Sequence, residues 1–290
     1  MVDTSGQQDL RGIDVDKLAK GFADEETIFK KFVQNSTTSA REIRWFQKTS
    51  GFLTATSPAV IHNVSEGAQP FILEQSWTRN TSYVRKYFVE SPVLSDEDVR
   101  DSDIDLLAGN VRDLTRAIEY KVDGRIYDVL TDSLNPTSVG VITASGAWNG
   151  DGTTANPILD IMKAKLQLRM SAYNPEGAVL IMNASGSKNL LSWLINVKGS
   201  SIPAFSSQKV ESGVVMEILG CRVVVSENTS NNYVVLAQAQ RACTWKQFVP
   251  ITARTIEEIG IGVKIRVWEE GEAILTDPKA VCLISGSGTV

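Results

Sequence analysis

The sequence predicts an α+β protein in which helices and antiparallel strands fall in separate runs. Three observations carry this. One amphipathic pattern continues from residue 102 to 130, an aromatic and β-branched stretch occupies residues 66 to 92, and the part beyond residue 214 is a succession of short apolar strands. Strands and helices do not alternate singly along the chain as in a doubly wound sheet, and no segment repeats another.

The 290 residues, 42% hydrophobic and 22% charged, suffice for one large core or two modest ones. No window approaches the roughly 18 consecutive apolar residues of a membrane span. Met1-Val2-Asp3-Thr4-Ser5-Gly6 opens with neither a basic nor an apolar leader region. The expectation is a product that meets no membrane and stays in the cytoplasm until assembly or lysis releases it. A net charge of −5 and a pI near 5.1 leave no basic field to draw in nucleic acid. That argues against a dedicated DNA reader and leaves a container open, since a wall that must not grip its contents can be acidic.

Taken in order, the first 24 or so residues are polar, with Gly6, Gly12 and Gly21, and predict an extended arm ordered only by a partner. Residues 25–33 and 40–46 place apolar side chains at helical spacing on either side of Ser36-Thr37-Thr38-Ser39, predicting two short helices. Residues 71–77 and 83–89 are rich in aromatic and β-branched residues around a turn at Thr78-Arg79-Asn80-Thr81. They predict a long two-stranded hairpin, a structure marginal alone in water that must lie on something else.

Ser95-Asp96-Glu97-Asp98 offers a helix start with acids in the first turn. Ile104, Leu107, Val111, Leu114, Ile118, Val122, Ile126 and Leu130 then recur at steps of three and four. At about 1.5 Å per residue this helix measures roughly 40 to 45 Å, and Leu134-Asn135-Pro136 ends it. A strand over 137–143 and a glycine turn at 148–152 follow. Asn156-Pro157 opens a helix to about 172, residues 178–182 form a buried strand, and 187–194 a short helix. Residues 196–210 are a small-residue loop with apolar members at its middle. Strands are expected over 214–218, 222–225, 233–237, 263–268, 273–275 and 280–284.

A search for chemistry finds little. His62 is the single histidine, so a triad or metal cage needing two imidazoles is excluded. Gly186-Ser187-Lys188 lacks the upstream glycine and the Ser or Thr of a phosphate loop. Gly150-x-Gly152, Gly260-x-Gly262 and Gly286-x-Gly288 are turn glycines without a dinucleotide fingerprint. Glu257-Glu258 and Glu269-Glu270 read as solvated charge. Cys221, Cys243 and Cys282, an odd number widely spaced in apolar surroundings, read as buried free thiols. No catalytic residue, cofactor or metal follows. Trp77, Arg79, Tyr83, Arg85, Lys86 and Tyr87 on the hairpin suit a protein–protein surface, where Trp, Tyr and Arg concentrate, or a nucleic-acid surface. The acidic total favours the first.

The layout resembles the Hong Kong 97-type major capsid protein of tailed viruses, which shares its shell fold with the encapsulins. The resemblance runs from about residue 50 onward. Its most specific stretches are Asn156-Pro157-Ile158 through Pro175-Glu176-Gly177-Ala178-Val179-Leu180-Ile181-Met182-Asn183 to Leu194, and Ile218-Leu219-Gly220-Cys221-Arg222-Val223-Val224-Val225-Ser226 to Asp277-Pro278-Lys279-Ala280-Val281. It implies an N-terminal arm with short helices over 1–65 and an extended hairpin loop over 66–94 that lies on a neighbouring subunit. It further implies a peripheral domain over 95–136 and 243–277, containing the long spine helix, and an axial α/β domain over 137–242 and 278–290. Ile202, Pro203 and Phe205 would lie on the axial loop. Implied partners are further copies of the chain in pentamers and hexamers, a separate scaffolding protein, a portal protein, cement proteins, and packaged double-stranded DNA held without sequence-specific binding. The protein would reside in the virion capsid after assembly in the host cytoplasm.

The N-terminus lies some 65 residues before the hairpin, so the chain resembles members that use a separate scaffold rather than a cleaved N-terminal one. Lys86 lies on the hairpin, but no motif supplies an acceptor for the Lys-Asn crosslink of some members, and none is implied. The nearest alternative is an encapsulin-type nanocompartment shell enclosing cargo enzymes. Its subunits have a shorter N-terminal region ending in a helix, whereas a polar arm is expected here. An α+β enzyme is the remote alternative.

Overall fold

The computed structural model describes residues 12–50, 65–67, 74–95, 97, 106–131, 139–149, 155–196, 217–258 and 261–287. Among these, the strands form a five-stranded sheet, a six-stranded sheet and a separate two-stranded ribbon. No described helix is long and apolar enough to cross a membrane.

The N-terminal region departs from expectation. Residues 12–26 form helix α1 (Gly12–Glu26), not an extended arm. Val15, Ala19 and Ala23 recur every fourth residue and are buried against the long helix α2 (Leu106–Leu130). Two of the three are alanines, which keep the helices close while adding little to a hydrophobic pattern. The helix expected over 25–33 shrinks to a 3-10 turn, Phe29–Lys31, followed by β1 (Gln34–Thr37). The helix expected over 40–46 is instead strand β2 (Glu42–Ser50).

The hairpin is also paired differently. Thr78-Arg79-Asn80-Thr81 is no turn but the middle of β3 (Ser76–Tyr83), which runs antiparallel to β2 to make the ribbon. The next strand, β4 (Arg85–Glu90), leaves the ribbon and joins the five-stranded sheet. β5 (Leu94–Ser95) occupies the place of the expected helix start, and residues 98–105 lie outside the described residues.

The five-stranded sheet is built on β11 (Cys243–Glu258) and β12 (Gly262–Leu275), in the order β1-β11-β12-β4, with β5 also on β12. β12 joins the two segments expected as separate strands. No separate strand was expected over the range of β11. Its pairing with β12 is interrupted between Gln247 and Thr252, around Pro250, and these irregularities erase the period-two alternation by which a strand is recognised.

The six-stranded sheet matches expectation closely. Its order is β6-β13-β10-β7-β9-β8, with β6 (Gly140–Thr143), β7 (Val179–Met182), β8 (Glu217–Ile218), β9 (Cys221–Val225), β10 (Tyr233–Ala237) and β13 (Val281–Ser285). α3 (Pro157–Met170) starts as Asn156-Pro157 predicts: the Asn156 Oδ1 accepts the Leu159 N–H at 3.2 Å. α4 (Ala184–Asn196) follows β7.

Side-chain alternation along these strands makes two cores. Leu180, Met182, Leu236, Cys282 and Ile284 pack with Ile161, Leu168, Leu190 and Trp193 of α3 and α4. The opposite face, with Val179, Ile181, Val235 and Leu283, joins the larger cluster around Ile126, Tyr127 and Leu130 of α2. Asp160 is buried where α3 meets this core, accepting hydrogen bonds from Ser145 and the Trp148 indole. In the larger core Trp245 covers Gly271, so that a Cβ there would come within 2.4 Å of the ring. Gly271→Ala should therefore destabilise the protein by about 1–3 kcal/mol, measured as a lowered urea midpoint at unchanged slope.

Candidate assembly surface

The ribbon places the functional side chains by strand alternation. Directly opposed residues of an antiparallel pair share a face, so Tyr83 lies with Glu42, Arg79 with Phe46 and Trp77 with Lys48. One face therefore gathers Arg44, Phe46, Lys48, Trp77, Arg79 and Tyr83. Phe46, Trp77 and Tyr83 are 63%, 55% and 66% exposed. The other face carries Ile43, Trp45 and Asn80, with the Asn80 amide donating to Gln47 Oε1 at 2.8 Å. A row of large aromatic and basic side chains facing solvent suits a protein partner.

The six hairpin residues singled out from sequence thus divide. Trp77, Arg79 and Tyr83 share the exposed face of the ribbon. Arg85, Lys86 and Tyr87 lie on β4, where each meets β12 or β11: Arg85 Nε lies 3.0 Å from Glu272, Lys86 Nζ 3.8 Å from Glu270, and the Tyr87 ring packs on Trp245. Burial and the neighbouring Glu272 push the Tyr87 hydroxyl up to about 12. Arg44, Phe46 and Lys48, the β2 members of the face, are what sequence reasoning missed, because residues 40–46 match a helical period. The alternation of charged Glu42 and Arg44 with apolar Ile43 and Trp45 was the available signal. Ile202, Pro203, Phe205 and His62 lie outside the described residues.

Beneath the ribbon's base lies a buried ionic network. Glu269, Glu270 and Glu272 of β12 are all buried, which corrects the expectation of solvated charge at Glu269-Glu270. Lys30 Nζ donates to Glu119 of α2 at 2.7 Å and to Glu269 at 2.7 and 2.9 Å. Arg125 and Arg85 hold Glu272, and Arg41 and Lys86 flank Glu270. Asp123, one turn beyond Glu119, accepts the N–H groups of Ile28 and Phe29 at 3.1 Å each.

An open cleft of about 610 Å³ adjoins this network, with Lys20, Lys30, Asn35, Glu119, Trp245 and Glu269 among its walls. Burial works against the Lys30 ammonium, but Glu269 and Glu119 outweigh it and raise its pKa, so Lys30 is a cation and not a nucleophile. Cys221, Cys243 and Cys282 are free and buried as expected; burial pushes Cys243 and Cys282 up to about 12, which keeps them as inert thiols.

A two-stranded ribbon with an uncovered aromatic face joins a helix-backed sheet, beside a second α/β layer. This is the architecture of the Hong Kong 97-type shell proteins. The model of the phage capsid protein family matches residues 93–284, well over half of the chain, and the chain belongs to that family.

Solved structures of similar fold include the capsid of the cyanophage P-SCSP1u, at 12% identity and a TM-score of 0.66, covering 100% of this chain and 93% of that one. A Mycobacterium phage Che8 structure matches at 16% identity and 0.61, covering 100% and 96%. The virus-like particle from Pyrococcus furiosus matches at 12% identity and 0.63, covering 94% and 98%. No curated protein matches. The protein is a major capsid protein with a structural role in the virion shell. The contrast expected between a polar arm here and an N-terminal helix in nanocompartments disappears with α1. The family match is what favours the phage shell.

Two outcomes follow from the buried network. Lys30→Ala leaves Glu119 and Glu269 without their cation and should lower stability by about 3–5 kcal/mol, read from chemical denaturation. Burial pushes Glu119 up to about 7, with Glu269 adding to it and Lys30 opposing, and pushes Asp123 up to about 6 against the N–H donors of Ile28 and Phe29. Both folded values exceed the ordinary carboxylate values, so the folded state holds these protons more tightly. Their contribution to stability is present at low pH and lost as pH rises through about 4 to 7. Calorimetry from pH 5 to 8 should show this fall, and Glu119→Gln should flatten it.

Proposed function

We propose that copies of this chain assemble as pentamers and hexamers into an icosahedral shell enclosing double-stranded DNA. The observation that carries this is the ribbon face with Phe46, Trp77, Arg79 and Tyr83, which is exposed on its own subunit and chemically suited to lie on another. Arg85 and Lys86, each about half exposed at the ribbon's base, flank the same contact.

Residues 95–136 and 243–277 act in this scheme as the peripheral domain and residues 137–242 and 278–290 as the axial domain, whose loop with Ile202, Pro203 and Phe205 approaches the rotation axis. The strands support that division: all six strands of the six-stranded sheet fall in the axial ranges, and β11 and β12 of the other sheet fall in the peripheral one. A separate scaffolding protein, a portal protein and cement proteins complete the partner set, and assembly takes place in the host cytoplasm. The net charge of −5 suits a wall that encloses DNA without sequence-specific binding. No step of this function calls for an active site or cofactor.

The double variant Phe46→Asp, Trp77→Asp alters only exposed side chains, so its melting temperature and circular dichroism should match the parent. Electron microscopy should show shells with DNA inside for the parent, expressed with its phage partners, and none for the variant. Normal shells from the variant would remove the ribbon from the assembly contact, and protein cargo in place of DNA would identify a nanocompartment.

A further inference from the structure

The chain's net charge of −5 is concentrated in one short stretch. Residues 96–105 hold Asp96, Glu97, Asp98, Asp101, Asp103 and Asp105 against Arg100 alone, so the rest of the chain is neutral. Glu97, described within that stretch, is exposed. The ribbon and its base have the opposite composition: residues 41–48 and 76–86 hold Arg41, Arg44, Lys48, Arg79, Arg85 and Lys86 against Glu42 alone.

The cations at the base are answered within the chain, Arg41 and Lys86 by Glu270 and Arg85 by Glu272. Those on the aromatic face are answered less fully. Arg44 is paired only with its strand neighbour Glu42, and Arg79 makes no ion pair among the described residues. Both are exposed, beside the exposed rings of Phe46, Trp77 and Tyr83. An acidic partner is the one that this face fits, since like charges across a contact are repelled.

The two oppositely charged segments lie at opposite ends of the five-stranded sheet. Arg85, where the ribbon joins, pairs with Gly271 of β12, and Ser95, from which the acidic stretch departs, pairs with Gly262. Nine residues of strand separate these points, about 30 Å. The other flank of the stretch agrees. α2 runs in step with β12, Glu119 sharing Lys30 with Glu269 and Arg125 holding Glu272 near the ribbon's base. Leu106, at the start of α2, is nineteen residues before Arg125, about 28 Å along the helix. Both flanks of the acidic stretch therefore stand far from the ribbon base of their own copy. A molecule that is cationic and aromatic at one end and acidic at the other makes head-to-tail contacts with further copies, and such contacts close into rings when the rotation permits.

We infer that the aromatic face of the ribbon, with Arg44 and Arg79, docks on residues 96–105 of a neighbouring copy. The inference rests on the shell function proposed above and names the surface that the ribbon meets there. Arg44→Glu with Arg79→Glu reverses the first partner, and Asp101→Lys with Asp103→Lys the second. Circular dichroism of both variants should match the parent. Sedimentation velocity on the full chain with its phage partners should show each reversal raising the concentration needed for capsomeres at least about tenfold. Mixing the two defective chains should restore assembly to within about threefold of the parent, because each ribbon then meets a stretch of opposite sign on its neighbour.

Reversals that assemble like the parent would overturn the contact, and a ribbon reversal that lowers only the DNA content of normal shells would assign the face to DNA instead. A mixture that stays defective would overturn it as well; recovery only when one chain carries both reversals would place the pairing within a single copy. In each case the parent's own shells leave the shell function standing. A parent chain that stays monomeric with its phage partners present would overturn both.

Discussion

Lys30 sits between Glu119 of the long helix and Glu269 of the longest-paired sheet region, and the N-terminal segment, α2 and β12 meet at this one ammonium. None of the three charges can remain buried alone, since an uncompensated ion in the interior costs several kcal/mol. The segment around Ile28 and Phe29 is held by the same logic, its N–H groups satisfied by Asp123 one turn along α2. β12 continues the pattern with Glu270 and Glu272, each answered by cations from other elements. Sliding β12 by one residue would turn every one of these carboxylates to the wrong face. Charge pairing therefore fixes a register that the apolar residues of β12 alone would leave less constrained, and the sheet that carries the ribbon inherits it.

The rest of the molecule divides into surfaces that are complete and surfaces that are not. Both cores are closed by the chain's own side chains, and the six-stranded sheet is covered on each face by its own helices. The ribbon has no comparable cover on its aromatic face, and Leu159, Met162, Leu166 and Met170 of α3 are exposed as well. In a subunit of a virion shell this is the expected distribution. Stability is supplied inside each copy, and recognition is deferred to the faces that other copies will bury.

How much of this the sequence revealed follows from which forces shape each part. The six-stranded sheet, its helices and α2 were legible because their signals are local: Asn156-Pro157 at a helix start, apolar runs at β7 and β10, a strict helical period along α2. The N-terminal half was not, because its structure is decided by distant partners. Residues 42–46 fit a helical spacing as well as a strand's until β3 supplies hydrogen bonds, and Thr78-Arg79-Asn80-Thr81 has turn composition but extended geometry once paired. Glu269 and Glu270 looked solvated because the residues that neutralise them, Lys30, Arg41 and Lys86, lie far away in the chain. The ribbon residues were found for their chemistry while their strand partner was missed, so Phe46 escaped notice.

The junction between ribbon and sheet links these themes. β3 passes into β4 through Val84, whose N–H donates to the Arg41 carbonyl at 2.9 Å, and Arg41 itself reaches Glu270 and lies over the Phe248 ring. Immediately beyond, Arg85 and Lys86 engage Glu272 and Glu270. Both strands of the ribbon are thus tethered at their base to the buried carboxylates of β12, within a few residues of leaving the core. A two-stranded ribbon is flexible along its length, so its direction is set where it is clamped. The acids of β12 accordingly serve two ends at once: they hold the N-terminal segment against α2 on one side, and on the other they fix the direction in which the ribbon carries its aromatic face.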